Sequence, residues 1–277
     1  MINLKILGDS ACDLTKEMEA ELNAERAVPF FIDIGDETFV DDENLSMPDL
    51  MSKMKACVGK MGSACPSPAQ WMEAFINAGG GFAVTISSKL SGMHQAAKLG
   101  LEMAKDEVAG LVGHVFDSKS AACGEVLVAM KIRGLIDSGL SFDAVVQKAE
   151  SFIDEMKTYI MLEDVSNLVK NGRISKVKGA MINVLGIKPV MFSNDGEIDI
   201  YRKLRGSSNL AGKLLDCITE CEIKGKDLII SHCNNLSLAN ELRDKARERF
   251  DIGKIIVLET KGLTSLYACN KGIIFSF

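Results

Sequence analysis

Polar side chains directly follow several of the predicted strands, and such side chains can bind an anion or another small polar group. In an open parallel sheet, ligands bind in the crevice outside the carboxyl ends of the strands. The simpler alternative is that the Ser and Asp side chains cap the helices that follow. Both interpretations can hold together, because a helix N-terminus also attracts an anion. The polar groups are Asp9-Ser10, Ser87-Ser88 with Ser91-Gly92, Asp117-Ser118 and His232.

A serine esterase or lipase that uses Ser10 or Ser91 is one chemistry compatible with these residue types. The segment Gly8-Asp9-Ser10 resembles the Gly-Asp-Ser block of a lipase and esterase family. A serine nucleophile needs a base, and that family places an Asp two residues before a His near the C-terminus. Histidine occurs at three positions only, and none has an Asp at that spacing: His94, His114 and His232. The hydrolase is therefore kept as the alternative hypothesis.

The composition indicates a globular protein and argues against several function classes. The chain has 277 residues with 32 basic and 38 acidic side chains, which give a formal net charge of −6. This balance argues against a nucleic-acid partner. No segment approaches the roughly 18 apolar residues of a membrane span, and an acid at Asp9 comes too early for a signal peptide. We therefore predict a cytoplasmic protein.

The eight cysteines predict reduced thiols. They form no CxxC or CxxH pair, so the sequence predicts no zinc site and no other metal site. Eight cysteines are also too few for a disulfide scaffold in a chain of this length. Nothing in the spacing indicates a cofactor.

The first half predicts strands that alternate with helices, which is typical of a parallel sheet flanked by helices. The predicted strands are Leu4–Leu7, Val28–Ile34, Phe82–Ile86 and Val112–Phe116. The strongest helix start is Ser67-Pro68-Ala69-Gln70, where Ser67 and Gln70 form a capping box and Pro68 takes the first helical position. The other predicted helices are Thr15–Asn23, one after Ser46, Met93–Lys105, Ala121–Ser138 and Ser141–Thr158.

The second half predicts a mixed α/β arrangement with an antiparallel hairpin. Asn194-Asp195-Gly196 is a typical hairpin turn between the strands Ile187–Phe192 and Glu197–Tyr201. Helices then alternate with strands: helix Asn209–Cys221, strand Asp227–Ser231, helix Leu236–Phe250, and strands Lys254–Leu258 and Gly272–Phe275. We therefore predict two domains, an N-terminal α/β domain over residues 1–158 and a C-terminal mixed α/β domain over residues 159–277.

Six segments resemble, in the right order, those of the DegV family of bacterial fatty-acid-binding proteins. They span almost the whole chain: Leu7–Leu14, Ser63–Pro68, Ser87–Gly92 followed by Gln95–Ala97, Phe116–Ser118, Asn171–Ile174 and Leu185–Val190. The resemblance implies a two-domain DegV-like fold with a long-chain fatty acid in a buried tunnel, and an N-terminal lipid-binding domain. It implies no catalytic step in this chain. A separate fatty-acid kinase subunit would act on the bound acid, and transient membrane contact would accompany lipid exchange.

The same resemblance implies the residues that bind the fatty-acid carboxylate. The hydroxyls of Ser63 and Ser91, with Gly92, are expected to bind the carboxylate directly, and Arg173 is the family's cation near the head group. Ser265 occupies the position of a family His and does not titrate near neutral pH. His94 follows Ser91 closely and is expected near the site. If His94 lies elsewhere, affinity should change little between about pH 6 and pH 8.

Overall fold

A four-stranded parallel sheet forms the centre of the N-terminal half in the computed structural model, which describes residues 4–176, 187–206 and 208–277. Its strand order is β2-β1-β6-β7. Its strands are β1 Lys5–Asp9, β2 Ala24–Val28, β6 Gly81–Thr85 and β7 Gly113–Asp117. The helices of this half are α1 Lys16–Leu22, α2 Met47–Ala56, α3 Pro68–Ala78, α4 Met93–Glu107, α5 Cys123–Asp137 and α6 Phe142–Glu155. The predicted mainly parallel sheet is confirmed.

Local sequence signals determine where several of these helices begin. The backbone N–H of Ser67 donates to Oε1 of Gln70 at 3.0 Å, so the predicted capping box of α3 is present with Pro68 in the first turn. Thr15 and Ser46 cap α1 and α2 through their side chains. These bonds satisfy N–H groups that have no partner inside the helix.

A small antiparallel sheet was missed by the sequence analysis. Its strands are β3 Phe31–Ile34, β4 Glu37–Val40 and β5 Met61–Ala64, in the order β4-β3-β5. The single strand predicted over residues 28–34 was therefore wrong, because β2 ends at Val28 and β3 begins in a different sheet. Pro29 lies between them and has no N–H for a sheet ladder, which favours a break at that point.

The C-terminal half contains a six-stranded mixed sheet in the order β10-β9-β8-β13-β11-β12. Its strands are β8 Thr158–Met161, β9 Ile187–Asn194, β10 Glu197–Arg205, β11 Leu228–His232, β12 Ile255–Glu259 and β13 Ile273–Ser276. The helices are α7 Ser166–Lys170, α8 Leu210–Leu215, α9 Glu220–Ile223, α10 Leu236–Arg249 and α11 Gly262–Ala268. The hairpin with its Asp195-Gly196 turn is confirmed, and the mixed character of this half is confirmed with it.

Three further predictions about the C-terminal half need correction or qualification. The helix predicted over residues 209–221 is two short helices, α8 and α9, and α11 was not predicted at all. Part of the segment 185–190, its first two residues, lies outside the described residues. All strands from β8 onward belong to the six-stranded sheet, and the proposed division into domains at residue 158 would follow that change of sheet.

Candidate functional site

A largely apolar cavity lies between loops at the carboxyl ends of the parallel strands and the six-stranded sheet. Small-molecule sites are typically lined by apolar side chains with a few polar groups. From the sheet, Ile160 and Ile274 are directly paired neighbours on β8 and β13. The N-terminal half contributes loop residues, and the remaining apolar lining includes Ala11, Phe30, Ile86, Leu90, Ala121, Leu162, Leu168, Ile198, Leu263 and Ala268. The chemical character of this lining suits an apolar ligand.

One group of polar residues on the cavity wall contains three of the predicted site residues. Ser63, Ser91 and Arg173 all line the cavity, together with Tyr267. The hydroxyls of Ser63 and Tyr267 are 2.9 Å apart and share a hydrogen bond. The guanidinium of Arg173 lies over the Tyr267 ring, 5.6 Å from its centroid. Hydroxyl and guanidinium donors are the groups that bind a carboxylate.

The backbone around these residues fixes their orientation. Nε of Arg173 donates to the carbonyl oxygen of Leu90 at 3.1 Å, and Nη1 donates to that of Asn171 at 2.6 Å. Oγ of Ser91 accepts a hydrogen bond from the N–H of Met93 at 3.2 Å, at the start of α4. The side chain of Arg173 therefore reaches the segment just before Ser91, which explains why residues far apart in sequence meet at one cavity.

The other predicted site residues lie away from the cavity. Gly92 is the exposed N-cap of α4 and does not line it. His94 faces a separate polar groove with Lys98 and His114, and its Nδ1 is 3.3 Å from Oγ1 of Thr85. Met93 points into the core, and the ring of His94, one position further along α4, is turned from the cavity by the helical rotation. Partial burial of the ring lowers the pKa of His94.

Ser265 is buried and does not line the cavity. Tyr267, two positions further along the chain, does line it. Oγ of Ser265 is 2.8 Å from Oγ1 of Thr260. The reason is that this segment is the helix α11 rather than a strand region, so Thr264 and Tyr267 share the face that meets the cavity. Tyr267 was missed, although three tyrosines in 277 residues made it a rare hydroxyl donor worth weighing.

The serine residues of the hydrolase alternative have no histidine base. Oγ of Ser10 accepts a hydrogen bond from the N–H of Phe30 at 3.0 Å and is buried. All three histidines lie within the described residues, and none forms a hydrogen bond with Ser10 or Ser91: His94 contacts Thr85, His114 contacts Glu150 and His232 contacts Asn235. The arrangement needed to activate a serine nucleophile is absent at both residues.

Asp9 fixes the backbone of two cavity-lining segments. Its carboxylate accepts hydrogen bonds from the N–H groups of Ala11 and Ile86, both at 2.8 Å. Burial raises the pKa of Asp9 from 3.8 to about 7, and these two bonds oppose the rise. Asp117 acts similarly on a neighbouring turn, accepting from the N–H groups of Ser88 and Lys119. The acids at the ends of β1 and β7 therefore position loops. The alternative that they cap the following helices is wrong, because the N-caps of α1 and α5 are Thr15 and Ala122.

Among residues 4–176, 187–206 and 208–277, no helix combines the length and the apolar character that a membrane span requires.

The chain is similar to known proteins over almost its whole length. The model of the DegV family, described as an uncharacterised protein family, matches residues 3–274. A DegV domain-containing protein of Streptococcus gordonii is 35% identical over 99% of this chain and 98% of the relative. Two solved structures are similar throughout. A DegV family protein of Ruminococcus gnavus, refined with vaccenic acid, has 34% identity and a TM-score of 0.91, covering 99% of both chains. The Streptococcus pneumoniae fatty acid kinase B3 protein loaded with linoleic acid has 32% identity and a TM-score of 0.90, covering 100% of this chain and 99% of the other.

Proposed function

Because the chain belongs to the DegV family, we propose that it binds a long-chain fatty acid in the cavity between the parallel strands' loops and the six-stranded sheet. The observation that carries the proposal is an apolar cavity with Ser63, Ser91 and Arg173 on its wall. The similar structures loaded with vaccenic and linoleic acid support it.

The two parts of a fatty acid match two parts of the cavity wall: the alkyl chain matches the apolar lining, and the carboxylate matches the polar residues. Transfer of an alkyl chain from water into an apolar site stabilises the complex by about 0.8 kcal/mol per methylene. A buried carboxylate destabilises it by several kcal/mol unless hydrogen-bond donors meet it. The hydroxyls of Ser63 and Ser91 supply donors without a full opposite charge, and the guanidinium of Arg173 supplies a cation nearby. Tyr267 holds Ser63 in place through their shared hydrogen bond.

A carrier role follows from the same arrangement. The chain would present its fatty acid to a separate acyl kinase and would perform no catalytic step itself. The name of the pneumococcal relative, a fatty acid kinase B3 protein, supports a kinase partner.

The test is a fatty-acid titration of delipidated protein with single serine substitutions. Ser91→Ala and Ser63→Ala each remove one hydrogen bond to a charged group, which is worth about 1.5–3 kcal/mol. We expect affinity to fall about tenfold to a hundredfold in each variant, with the larger loss for Ser91→Ala. The matched control is Ser88→Ala, at an exposed serine of the neighbouring turn, and it should bind as the parent does. Unchanged affinity in the double variant of Ser63 and Ser91 would remove both from the carboxylate site.

A further inference from the structure

Four buried carboxyl groups share one region next to the cavity with a single guanidinium. Asp9, Asp13, Asp41 and Glu125 are almost completely shielded from solvent. Arg26, with a side chain that is 13% exposed, is the cation whose charge acts on Asp9 and Asp13, and its Nη2 is 3.3 Å from Oδ1 of Asp41. One guanidinium cannot balance four carboxylates in a region of low dielectric, so at least one carboxyl group should hold a proton.

Asp13 accepts two hydrogen bonds from the C-terminal half. Oγ of Ser231 donates to Oδ2 of Asp13 at 2.7 Å, and the N–H of Lys261 donates to Oδ1 at 2.9 Å. Such bonds favour the ionised carboxylate. They also connect the segment after β1 with β11 and with the start of α11.

Asp41 holds the first turn of α11 in the same way. The N–H groups of Gly262 and Leu263 donate to the two oxygens of Asp41 at 3.1 and 2.8 Å. Leu263 lines the cavity. Together with the two bonds that Asp9 accepts from Ala11 and Ile86, these aspartates therefore fasten three cavity-lining segments through their carboxyl oxygens.

Glu125 differs from the three aspartates. Neither of its carboxyl oxygens has a hydrogen-bond partner with good geometry among the described residues. Burial is the main reason that the pKa of Glu125 is raised well above its usual range, and the charges of Asp9 and Asp13 raise it further. The N–H of Ala122, in the turn before α5, opposes this rise and is outweighed. Of the four groups, Glu125 loses least by holding the proton.

We propose that Glu125 holds a proton at neutral pH, and that this neutral acid favours the ionised form of Asp9, whose carboxylate fastens the Ala11 and Ile86 segments on the cavity wall. An ionised Glu125 would place a second negative charge against Asp9 and so disfavour the ionised form of Asp9. Glu125 is thus a positioning residue, and it acts on the cavity through Asp9.

Within the part of the chain that the structure describes, the other titratable groups around the carboxyls do not supply a second cation at this place. From the segment after β1, Cys12 faces Asp9, Asp13 and Glu125, and burial raises the pKa of its thiol, which stays neutral. Cys123 on α5 and Cys233 after β11 face Asp13, and burial raises the pKa of both thiols. Lys261 contributes its backbone N–H to the cluster.

The linkage between protons and stability gives the expected sign. A carboxyl with a raised pKa in the folded protein binds a proton that the unfolded chain releases, so stability falls as pH rises. Burial raises the pKa of Asp9 to about 7 and that of Asp13 to about 6, so these two contribute to the fall between about pH 4 and pH 7. Glu125 should extend the fall to higher pH.

The experiment compares Glu125→Gln with the parent and with Glu107→Gln, a control at an exposed glutamate of α4. Thermal unfolding and proton uptake on folding are measured between about pH 5 and pH 9. On folding near neutral pH, we expect Glu125→Gln to take up about one proton fewer than the parent. The parent binds a proton at Glu125 when it folds, whereas the amide of Gln binds none in either state. Its Tm should equal that of the parent near about pH 5 and exceed it by several degrees near about pH 8. The control should follow the parent throughout.

Hydrogen exchange and infrared spectroscopy test the positioning role and guard against a folding failure. The N–H groups of Ala11 and Ile86 should remain slow to exchange in Glu125→Gln, because Asp9 still binds them. A pH profile parallel to that of the parent, or fast exchange at these two amides, would overturn the proposal. If Glu125→Gln fails to fold, the parent at neutral pH must show the C=O stretch of a neutral carboxylic acid, and absence of that band overturns the proposal. These readouts need no fatty acid, so they are independent of the proposed carrier function.

Discussion

Two buried regions meet at Ala11, in the segment that follows β1, and they differ in how their polar groups are bound. The cavity is lined mainly by apolar side chains, with few polar groups that stay available to a ligand. The acid cluster consists of the carboxyl groups of Asp9, Asp13, Asp41 and Glu125. The three aspartates each accept hydrogen bonds from backbone N–H groups or a hydroxyl. Ala11 belongs to both regions, since it lines the cavity and donates to Asp9.

The contrast shows how a binding cavity can exist inside a close-packed protein. An apolar cavity forfeits packing contacts, so its walls need support from elsewhere. Here the support comes from hydrogen bonds between carboxylates and the backbone of the walls. These hydrogen bonds hold the walls from behind and do not require side chains inside the cavity. The volume between the walls therefore remains available to a ligand.

The largest expected effect is a loss of stability on removing Asp41. Asp41→Ala leaves the N–H groups of Gly262 and Leu263 and the guanidinium of Arg26 without a buried carboxylate. Breaking a buried charge pair on one side destabilises a protein by about 3–5 kcal/mol. Denaturant unfolding at neutral pH checks this value. The control is Asp36→Ala in the exposed β3–β4 turn, for which a loss within about 0.5 kcal/mol is expected. Equal stability of the two variants would mean that the acid cluster does not support α11.

A smaller effect is expected at the cavity from Tyr267→Phe. The substitution keeps the ring below Arg173 and removes the hydroxyl that bonds to Ser63. Loss of one neutral hydrogen bond is worth about 0.5–1.5 kcal/mol, so fatty-acid affinity should fall about twofold to tenfold. Unfolding of the delipidated protein should change less than binding does. A variant that binds as tightly as the parent would show that Ser63 needs no help from α11.

The smallest effect is expected from His94→Gln. His94 lies in a groove with Lys98 and His114, apart from the cavity, and its lowered pKa keeps the ring neutral near neutral pH. The change in fatty-acid affinity between about pH 6 and pH 8 should therefore be the same in the parent and in His94→Gln. A pH dependence that disappears in His94→Gln would return this histidine to the ligand site.

Sequence reasoning succeeded where a few adjacent residues determine the local structure. The Ser67–Gln70 capping box and the Asp195-Gly196 turn need only their own neighbours, and both are present. The pair Ser63 and Ser91 was found through a family resemblance, and the structure places both on one cavity.

Sequence reasoning failed where distant segments decide the outcome. Helix α11 carries no start signal, because its first N–H groups are bound by Asp41, more than 200 residues earlier in the chain. Ser265 was named only because it occupies the position of a family His, and Tyr267 was not considered. The acid cluster was equally hidden, since Glu125 sits in an apolar helical sequence that gives no indication of its carboxylate neighbours.

The most direct test of the carrier function is native mass spectrometry of the purified protein, followed by denaturation and identification of whatever is released. We predict one bound molecule per chain, released on denaturation with the mass of a long-chain fatty acid. The double variant of Ser63→Ala and Ser91→Ala should retain much less of it, and Ser88→Ala should retain as much as the parent. A parent protein that carries no lipid, and that also fails to bind long-chain fatty acid added after delipidation, would contradict the account.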